Sequence, residues 1–281
     1  MTLRKLKNIF NKELKNIYAR EESQTILNYI LIDALGISKL TIISQPELEL
    51  DNNQSENVLF FLKDLKKGVP IQHLLRTAYF YGMVLKITPD VLIPRPETEE
   101  LVDWVIKDNK GTKKMKILDI CTGSGCIALA LKKNLPESVV TAIDISEKAL
   151  GVATENANKL NLDIILKKAD ALKLEGELNG SFDIIVSNPP YIPASDKDSV
   201  QRNVYMYEPH SALFVPDKTP LVFYESIALY AQKSKPVTLY FEINEDFGGA
   251  LTELMDKLGF KDITVKKDLS GKNRMLKCHY F

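Results

Sequence analysis

The sequence lacks any excess of charge, since 37 basic residues balance 37 acidic ones over 281 positions. That balance argues against a protein that coats nucleic acid through bulk positive charge. Long apolar runs are also missing: the most apolar window, residues 26–37, is interrupted by Asn28 and Asp33, so we expect no membrane span. Charged residues recur every few positions at the amino terminus, so a secretory signal peptide is not predicted either.

Cysteine and histidine are scarce as well. The three cysteines, Cys121, Cys126 and Cys278, form no CxxC pair, and their odd number prevents complete pairing in disulfides. This usage is typical of a reducing compartment, and we expect a cytoplasmic protein. The three histidines show no metal-ligand spacing, so no metal site is predicted.

The amino-terminal part of the chain has only helical patterns. Apolar residues recur at helical spacing in three stretches, residues 3–18, 26–35 and 51–67, and no strand signal precedes residue 76. Alternation over residues 79–87 then predicts a β-hairpin around Gly82, and three prolines follow before residue 97. We therefore predict three segments: a small all-α domain over residues 1–76, a β-hairpin and proline-rich linker over residues 77–96, and a second domain over residues 97–281.

Strand patterns alternate with helix patterns in this second domain. Seven short apolar strands are predicted, over residues 116–121, 139–144, 164–168, 182–187, 237–243, 263–267 and 274–279. Alternation of this kind predicts an α/β fold with a doubly wound, mostly parallel sheet. The last two strands have no helix between them, so we expect an antiparallel pair at one edge. Thr219 and Pro220 predict the start of a helix at residue 221, and the stretch 191–218 is predicted to be irregular and functional.

A glycine-rich turn follows the first of these strands. In Gly123-x-Gly125-x-x-Ala128, a strand runs through a turn into a helix, so backbone N–H groups can approach a ligand. Asp144 ends the next strand, where an acid accepts hydrogen bonds from ribose hydroxyls. Together they predict a site for an adenosine-containing cofactor: NAD, FAD or S-adenosylmethionine. Asp119 favours the last of these, because its carboxylate can face a cationic amino-acid group or support the loop that does.

The segment Asn188-Pro189-Pro190-Tyr191 directly follows the strand at residues 182–187. In a doubly wound sheet this strand end borders the cofactor cleft. The prolines fix φ and have no N–H, so the backbone presents carbonyl groups, and Asn188 adds an amide acceptor beside the ring of Tyr191. Two acceptors next to an aromatic face suit a planar –NH₂ group held by both hydrogens. We therefore predict that this segment binds an amino or amide group whose nitrogen faces an electrophile.

Several motifs occur together in the order and spacing of one known family. They are VLIPRPETE (91–99), DICTGSGCIA (119–128), DIS (144–146), VSNPPYIP (186–193), YEPHSAL (207–213) and GKNRM (271–275). The chain from about residue 69 onward resembles the glutamine methyltransferases that modify peptide-chain release factors. Before residue 69, only the length and the helicity are similar to that family.

The resemblance implies a class I S-adenosylmethionine-dependent methyltransferase fold with a small all-α amino-terminal domain and a β-hairpin linker. The implied acceptor is the side-chain amide nitrogen of the glutamine in the Gly-Gly-Gln motif of release factors, recognised in part by residues 1–76. The implied catalytic residues are Asn188 and Pro189, which would accept hydrogen bonds from the target amide. The implied substrate-binding residues are Asn188, Pro189, Pro190 and Tyr191. The implied cofactor-binding residues are Cys121, Thr122, Gly123, Ser124 and Gly125 at the methionine part, Asp144 at the ribose, Asp170 and Ala171 at the adenine, and Asn188.

The chain departs from the family pattern at three positions. Cys121 and Asn244 stand where glycine is usual, and Ala171 replaces an often bulkier residue. The resemblance also implies that Arg95, Glu97 and Thr98 lie near the cleft. The sequence alone predicts only a helix start there, with Glu97 or Thr98 near the cap. Glu208 and Glu242 have no partner that the sequence reveals.

The residues alone, without the resemblance, leave three other functions open. A nucleic-acid adenine-N6 amino-methyltransferase shares the Asn-Pro-Pro-Tyr segment, but it would need a basic, aromatic recognition region. An NAD-dependent oxidoreductase leaves that segment unexplained, and a non-catalytic adaptor would use the basic amino-terminal helices instead. We expect release factors as partners, no membrane contact, no direct nucleic-acid binding and a monomer.

Overall fold

The computed structural model describes residues 1–112, 114–178, 180–234 and 236–281. These residues form two compact units. The helical unit comprises Met1–Thr77 and Gln201–Tyr207, and the sheet unit comprises Ala78–Val200 and Glu208–Phe281. Within the described ranges, no helix has both the length and the apolar character needed to span a membrane.

The helices and strands are numbered along the chain. The helices are α1 (Leu3–Leu14), α2 (Arg20–Tyr29), α3 (Lys39–Ser44), α4 (Asn52–Leu65), α5 (Ile71–Leu75), α6 (Pro96–Asp108), α7 (Cys126–Asn134), α8 (Glu147–Leu160), α9 (Leu174–Glu177), α10 (Arg202–Tyr207), α11 (Val222–Ala231) and α12 (Gly248–Lys257). The strands are β1 (Thr77–Phe80), β2 (Met83–Lys86), β3 (Lys116–Ile120), β4 (Val139–Asp144), β5 (Ile165–Lys168), β6 (Ile184–Ser187), β7 (Ile192–Pro193), β8 (Phe214–Val215), β9 (Val237–Glu242), β10 (Lys261–Lys267) and β11 (Asn273–Tyr280).

The helical unit is held together by a core of leucine, isoleucine and phenylalanine side chains. In α1 the buried residues Leu3, Leu6, Phe10 and Leu14 recur every three or four positions, so they form one apolar stripe. At the start of α4, Asp51 and the side chain of Gln54 cap each other's backbone N–H groups. Such a capping box satisfies donors that the first helical turn leaves without partners.

The sheet unit contains seven strands in the order β10-β11-β9-β6-β3-β4-β5. β9, β6, β3, β4 and β5 are parallel neighbours, whereas β11 runs antiparallel to both β9 and β10. The predicted doubly wound, mostly parallel sheet with an antiparallel edge pair is therefore confirmed. Because the chain enters at β3 and extends the sheet to both sides, strand order reverses between β3 and β6. Ligands bind at the carboxyl ends of the strands at such a point.

Two local predictions were wrong. Thr219 and Pro220 do not start α11, because Thr219 O accepts the N–H of Val222 in a turn and the helix begins one residue later than expected. The stretch 191–218 is not irregular throughout, since it contains β7, β8, α10 and short 3₁₀ turns. The predicted hairpin is present as β1 and β2.

Candidate active site

A cleft of about 280 Å³ lies at the carboxyl edge of the sheet, next to the ends of β3, β4, β5 and β6. The predicted site residues in its lining are Cys121, Gly123, Asp144, Asp170, Ala171, Asn188 and Pro190. The predicted residues outside this lining are Thr122, Ser124, Gly125, Pro189 and Tyr191. The parallel strands thus bring the glycine-rich turn, the acid after β4 and the segment after β6 to one place.

The glycine-rich turn after β3 has a left-handed backbone at three positions, with φ of +62° at Cys121, +54° at Gly123 and +81° at Gly125. Glycine adopts this conformation freely, whereas for Cys121 it costs roughly 1–2 kcal/mol. A Cβ at Gly123 would meet no atom within 4 Å, but one at Gly125 would lie 3.1 Å from the Cβ of Ala153. Gly123 therefore leaves its backbone open to a ligand, while Gly125 lets α7 start close against α8.

Asp119 supports this turn from within β3. Its Oδ2 accepts hydrogen bonds from Thr122 Oγ1 at 2.5 Å and from Ala128 N at 3.2 Å. The side chain is fully buried, and burial raises its pKa to about 7. Among the residues that the structure describes, Oδ1 has no hydrogen-bond partner. Two roles were predicted for Asp119. Its contacts match the second role, which is to support the loop.

Asp144 joins the glycine-rich turn to the start of α8. One carboxylate oxygen accepts from Gly123 N and the other from Ser146 N, each at 2.9 Å. Burial raises the pKa of Asp144, and these two N–H groups partly oppose that rise. Each oxygen can accept more than one hydrogen bond. Asp144 therefore keeps acceptor capacity on both oxygens for two hydroxyl groups in the cleft.

The wall after β5 is mostly apolar. Ala171 is buried and lies in the cleft lining with Ile143, Ile145 and Phe223. Asp170 Oδ1 accepts from Leu172 N at 2.9 Å, which holds the turn that presents Ala171. An apolar wall beside a carboxylate fits a flat ring attached to a ribose. Together with the open backbone at Gly123, these residues fit S-adenosylmethionine.

Asn188 directly follows β6 and is linked through hydrogen bonds to two buried side chains. Its Nδ2 donates to Thr98 Oγ1 at 3.2 Å, and Thr98 Oγ1 donates to Glu242 Oε2 at 2.6 Å. Tyr191 Oη donates to the other carboxylate oxygen of Glu242 at 3.3 Å. Glu242 is fully buried at the end of β9, and burial raises its pKa to about 6. Tyr191, for which a face against the substrate was predicted, thus directs its hydroxyl to this carboxylate.

The residues of the proline-rich stretch also acquire partners that the sequence did not show. Arg95 forms an ion pair with Glu208, and Glu208 also accepts from Ile93 N at 3.0 Å. The predicted helix start is confirmed, but Arg95 occupies the N-cap position and Thr98 bonds to Glu242 instead of capping. Sequence reasoning assigned no role to Glu242. The feature that could have pointed to it was its position at the carboxyl end of a buried strand.

Two family models match the chain: PrmC N-terminal domain over residues 8–75 and Methyltransferase small domain over residues 98–206. The chain is 43% identical to the release factor glutamine methyltransferase of Flavobacterium psychrophilum, over 100% of both chains. It is 41% identical to that of Bacteroides thetaiotaomicron, over 94% of this chain and 95% of the relative. A solved methyltransferase from Pyrococcus furiosus is similar in fold, with a TM-score of 0.52 and 19% identity over 82% of this chain and 98% of that one. The full-length identities show that the chain belongs to the release factor glutamine methyltransferase family.

Proposed function

We propose that this S-adenosylmethionine-dependent methyltransferase modifies the side-chain amide nitrogen of the glutamine in the Gly-Gly-Gln motif of peptide-chain release factors. The names of its full-length relatives support the enzyme class and the protein substrate. The observation that carries the proposal for this chain is the position of Asn188. It directly follows β6 and lines the same cleft as Gly123 and Asp144, so an amide bound there lies next to the predicted cofactor site.

The cofactor would be held by the three segments at the sheet edge. The turn from Cys121 to Gly125 would hold the methionine part, Asp144 the two ribose hydroxyls, and Asp170 with Ala171 the adenine. S-adenosylmethionine supplies an electrophilic methyl group on a sulfonium sulfur. The apolar wall after β5 reduces the water around such a site, and electrostatic attraction is stronger where water is excluded.

The target nitrogen is a weak nucleophile because its lone pair is delocalised into the amide carbonyl. Asn188 Oδ1 and the carbonyl of Pro189 would each accept one N–H of the target amide. Two fixed acceptors favour a pyramidal nitrogen whose lone pair points at the methyl carbon. The gain in rate is one of orientation and of preorganised electrostatics. No strong base is required before transfer, since the nitrogen proton becomes acidic once the new N–C bond forms and can then leave to solvent.

The division of labour along the chain is part of the proposal. Residues 1–76 would recognise the protein substrate, residues 77–96 would link, and residues 97–281 would carry out the transfer. Lys5, Lys12 and Lys15 are exposed on the first helix and its end, which supports contact with an acidic partner. Action as a cytoplasmic monomer without direct nucleic-acid binding remains a prediction.

Transfer of a labelled methyl group to three acceptors tests the proposal. The acceptors are a purified release factor, a duplex DNA and an RNA, and the matched control is the factor with the Gly-Gly-Gln glutamine replaced by alanine. We expect label only on the intact factor. Label on either nucleic acid and none on the factor would favour the adenine-N6 alternative and refute the proposed function.

A further inference from the structure

Asn188, which is partly buried, forms a chain of side-chain hydrogen bonds with the buried residues Thr98 and Glu242 within the sheet unit. Asn188 follows β6, Thr98 lies in the first turn of α6, and Glu242 ends β9. Thr98 is 2% exposed and Glu242 is 1% exposed. Burial on this scale requires that each polar atom be satisfied by its neighbours. The directions of these bonds are therefore set by how many protons each group has to give.

Counting protons gives one arrangement when Glu242 is ionised. A carboxylate has no proton, so at 2.6 Å Thr98 Oγ1 must donate its single proton to Glu242. Thr98 Oγ1 then has only acceptor capacity for Asn188, so Asn188 must turn its –NH₂ toward Thr98, at 3.2 Å. The side-chain amide of Asn188 is planar, and its carbonyl oxygen Oδ1 faces the other way. Asn188 lines the cleft, which leaves Oδ1 available to accept from a substrate.

We propose that Thr98 and Glu242 are positioning residues, which orient the Asn188 amide so that its oxygen and not its nitrogen is presented to the target glutamine. This inference rests on the proposed function for the identity of the substrate. It goes beyond the proposed function in assigning a role to two buried side chains that lie outside the cleft lining. The reversed amide would present –NH₂ to the –NH₂ of the target, and two donors repel each other.

Several charged and titratable groups set the state of Glu242. Thr98 Oγ1 and Tyr191 Oη donate to its carboxylate, and both contacts lower its pKa. Arg274, itself 3.4 Å from Asp268, lowers it further, while burial raises it most and Glu97 adds to the rise. A further group on α11, Tyr224, donates to the main-chain oxygen of Glu242 at 3.0 Å. The resulting pKa is about 6, so the carboxylate is ionised at neutral pH.

Protonation of Glu242 removes the constraint on Asn188. A protonated carboxyl can donate to Thr98, and the threonine hydroxyl is then free to donate to Asn188 Oδ1. The amide can flip, so the orientation that accepts from substrate is lost as the pH falls through about 6. The connection from Glu242 to Asn188 passes through the hydroxyl of Thr98, so removing that hydroxyl uncouples the two groups.

The first test needs neither substrate nor cofactor. The side-chain –NH₂ signals of Asn188 in ¹⁵N-labelled protein are assigned by their absence from Asn188→Asp, and they are followed by NMR from pH 5 to 8. We expect an inflection near pH 6 in wild type and in Thr98→Ser, and none in Thr98→Val or Glu242→Gln. The control is Thr141→Val, a buried threonine of β4, which should behave as wild type. An inflection that persists unchanged in Thr98→Val and Glu242→Gln overturns the proposal.

The second test separates positioning from binding. In single-turnover methyl transfer at pH 7.5, Thr98→Val should lower the maximal rate roughly tenfold, the scale of one lost hydrogen bond. The half-saturating concentration of release factor and the Kd for S-adenosylmethionine should change by less than threefold, and Thr98→Ser should restore the rate. A wild-type rate in Thr98→Val, at an unchanged melting temperature, contradicts the proposal. If wild-type enzyme fails to methylate the factor, the proposed function fails, and the NMR titration still decides the orientation of Asn188.

Discussion

Replacing Asp144 by asparagine exchanges one carboxylate oxygen for an –NH₂ group. A carboxylate that accepts on one oxygen alone can keep that hydrogen bond after this change, because the asparagine side chain retains one acceptor oxygen. Here both oxygens already accept from backbone, one from Gly123 N and one from Ser146 N, each at 2.9 Å. Whichever way the asparagine turns, its –NH₂ group meets one of these N–H donors. We therefore expect Asp144→Asn to be about as damaging as Asp144→Ala.

The magnitude follows from the groups left without partners. A buried donor that loses its acceptor costs about 1–3 kcal/mol, so the free energy of unfolding should fall by about that amount. Loss of a charged acceptor for the ribose costs about 1.5–3 kcal/mol of binding free energy. This range corresponds to a Kd for S-adenosylmethionine that is roughly 10- to 150-fold weaker. Displacement of Gly123 would add to the loss, because Gly123 lines the cleft.

Calorimetry with S-adenosylmethionine measures the affinity of both variants, and thermal unfolding measures their stability. NAD should not bind to wild type. Asp183→Asn is the matched control: Asp183 lies outside the cleft lining and accepts a backbone bond on one oxygen, from Lys116 N, so asparagine can keep that bond and turn its –NH₂ away. It should bind within about threefold of wild type. The reasoning is refuted if Asp144→Asn binds S-adenosylmethionine as tightly as wild type, or far more tightly than Asp144→Ala.

Four further predictions concern other parts of the molecule. Asn188→Ala should lower single-turnover methyl transfer by at least 10²–10³-fold, as for the loss of one preorganised polar partner, with little change in cofactor affinity; near-wild-type turnover would remove Asn188 from the reaction. Asn188→Asp should be no better than Asn188→Ala, since it loses the donor to Thr98; recovery of activity in the same assay would mean that this donor is idle. Reversing three exposed charges of the amino-terminal helical region should slow methylation of the intact factor and spare a short Gly-Gly-Gln peptide, which a rate assay on both substrates checks; the exchanged residues are Lys5, Lys12 and Lys15. Gly125→Ala should lower the free energy of unfolding by about 1–3 kcal/mol, because φ is +81° and a Cβ would lie 3.1 Å from another Cβ; an unchanged denaturation midpoint would contradict it.

The sequence alone was enough to predict the sheet and the segments at its edge. Each of these segments directly follows a strand: the glycine-rich turn after β3, Asp144 at the end of β4, and Asn188 after β6. Parallel strands place their carboxyl ends at one edge, so predicting the strands already brought the three segments together. The order of strands and segments along the chain, together with the rule that parallel strands place their carboxyl ends at one edge, was sufficient to predict this part of the site.

The short elements between residues 191 and 218 were beyond sequence reasoning for a different reason. β7 and β8 have two residues each, and they pair with each other although two 3₁₀ segments and α10 lie between them in the chain. A strand of two residues has no periodicity to detect. Only the tertiary pairing identifies it.

The chain of bonds beneath Asn188 was also decided by the tertiary structure. Thr98 and Glu242 are 144 positions apart, and Arg95 and Glu208 are 113 apart. None of the four shows in the sequence which residue it pairs with, because partners more than a hundred positions apart share no periodicity. Whether a buried carboxylate is paired depends on which element packs over it, and that follows from how α6 packs on the sheet. The residues that line the cleft after each strand could thus be found one strand at a time, whereas those that hold them in place could be found only from the folded chain.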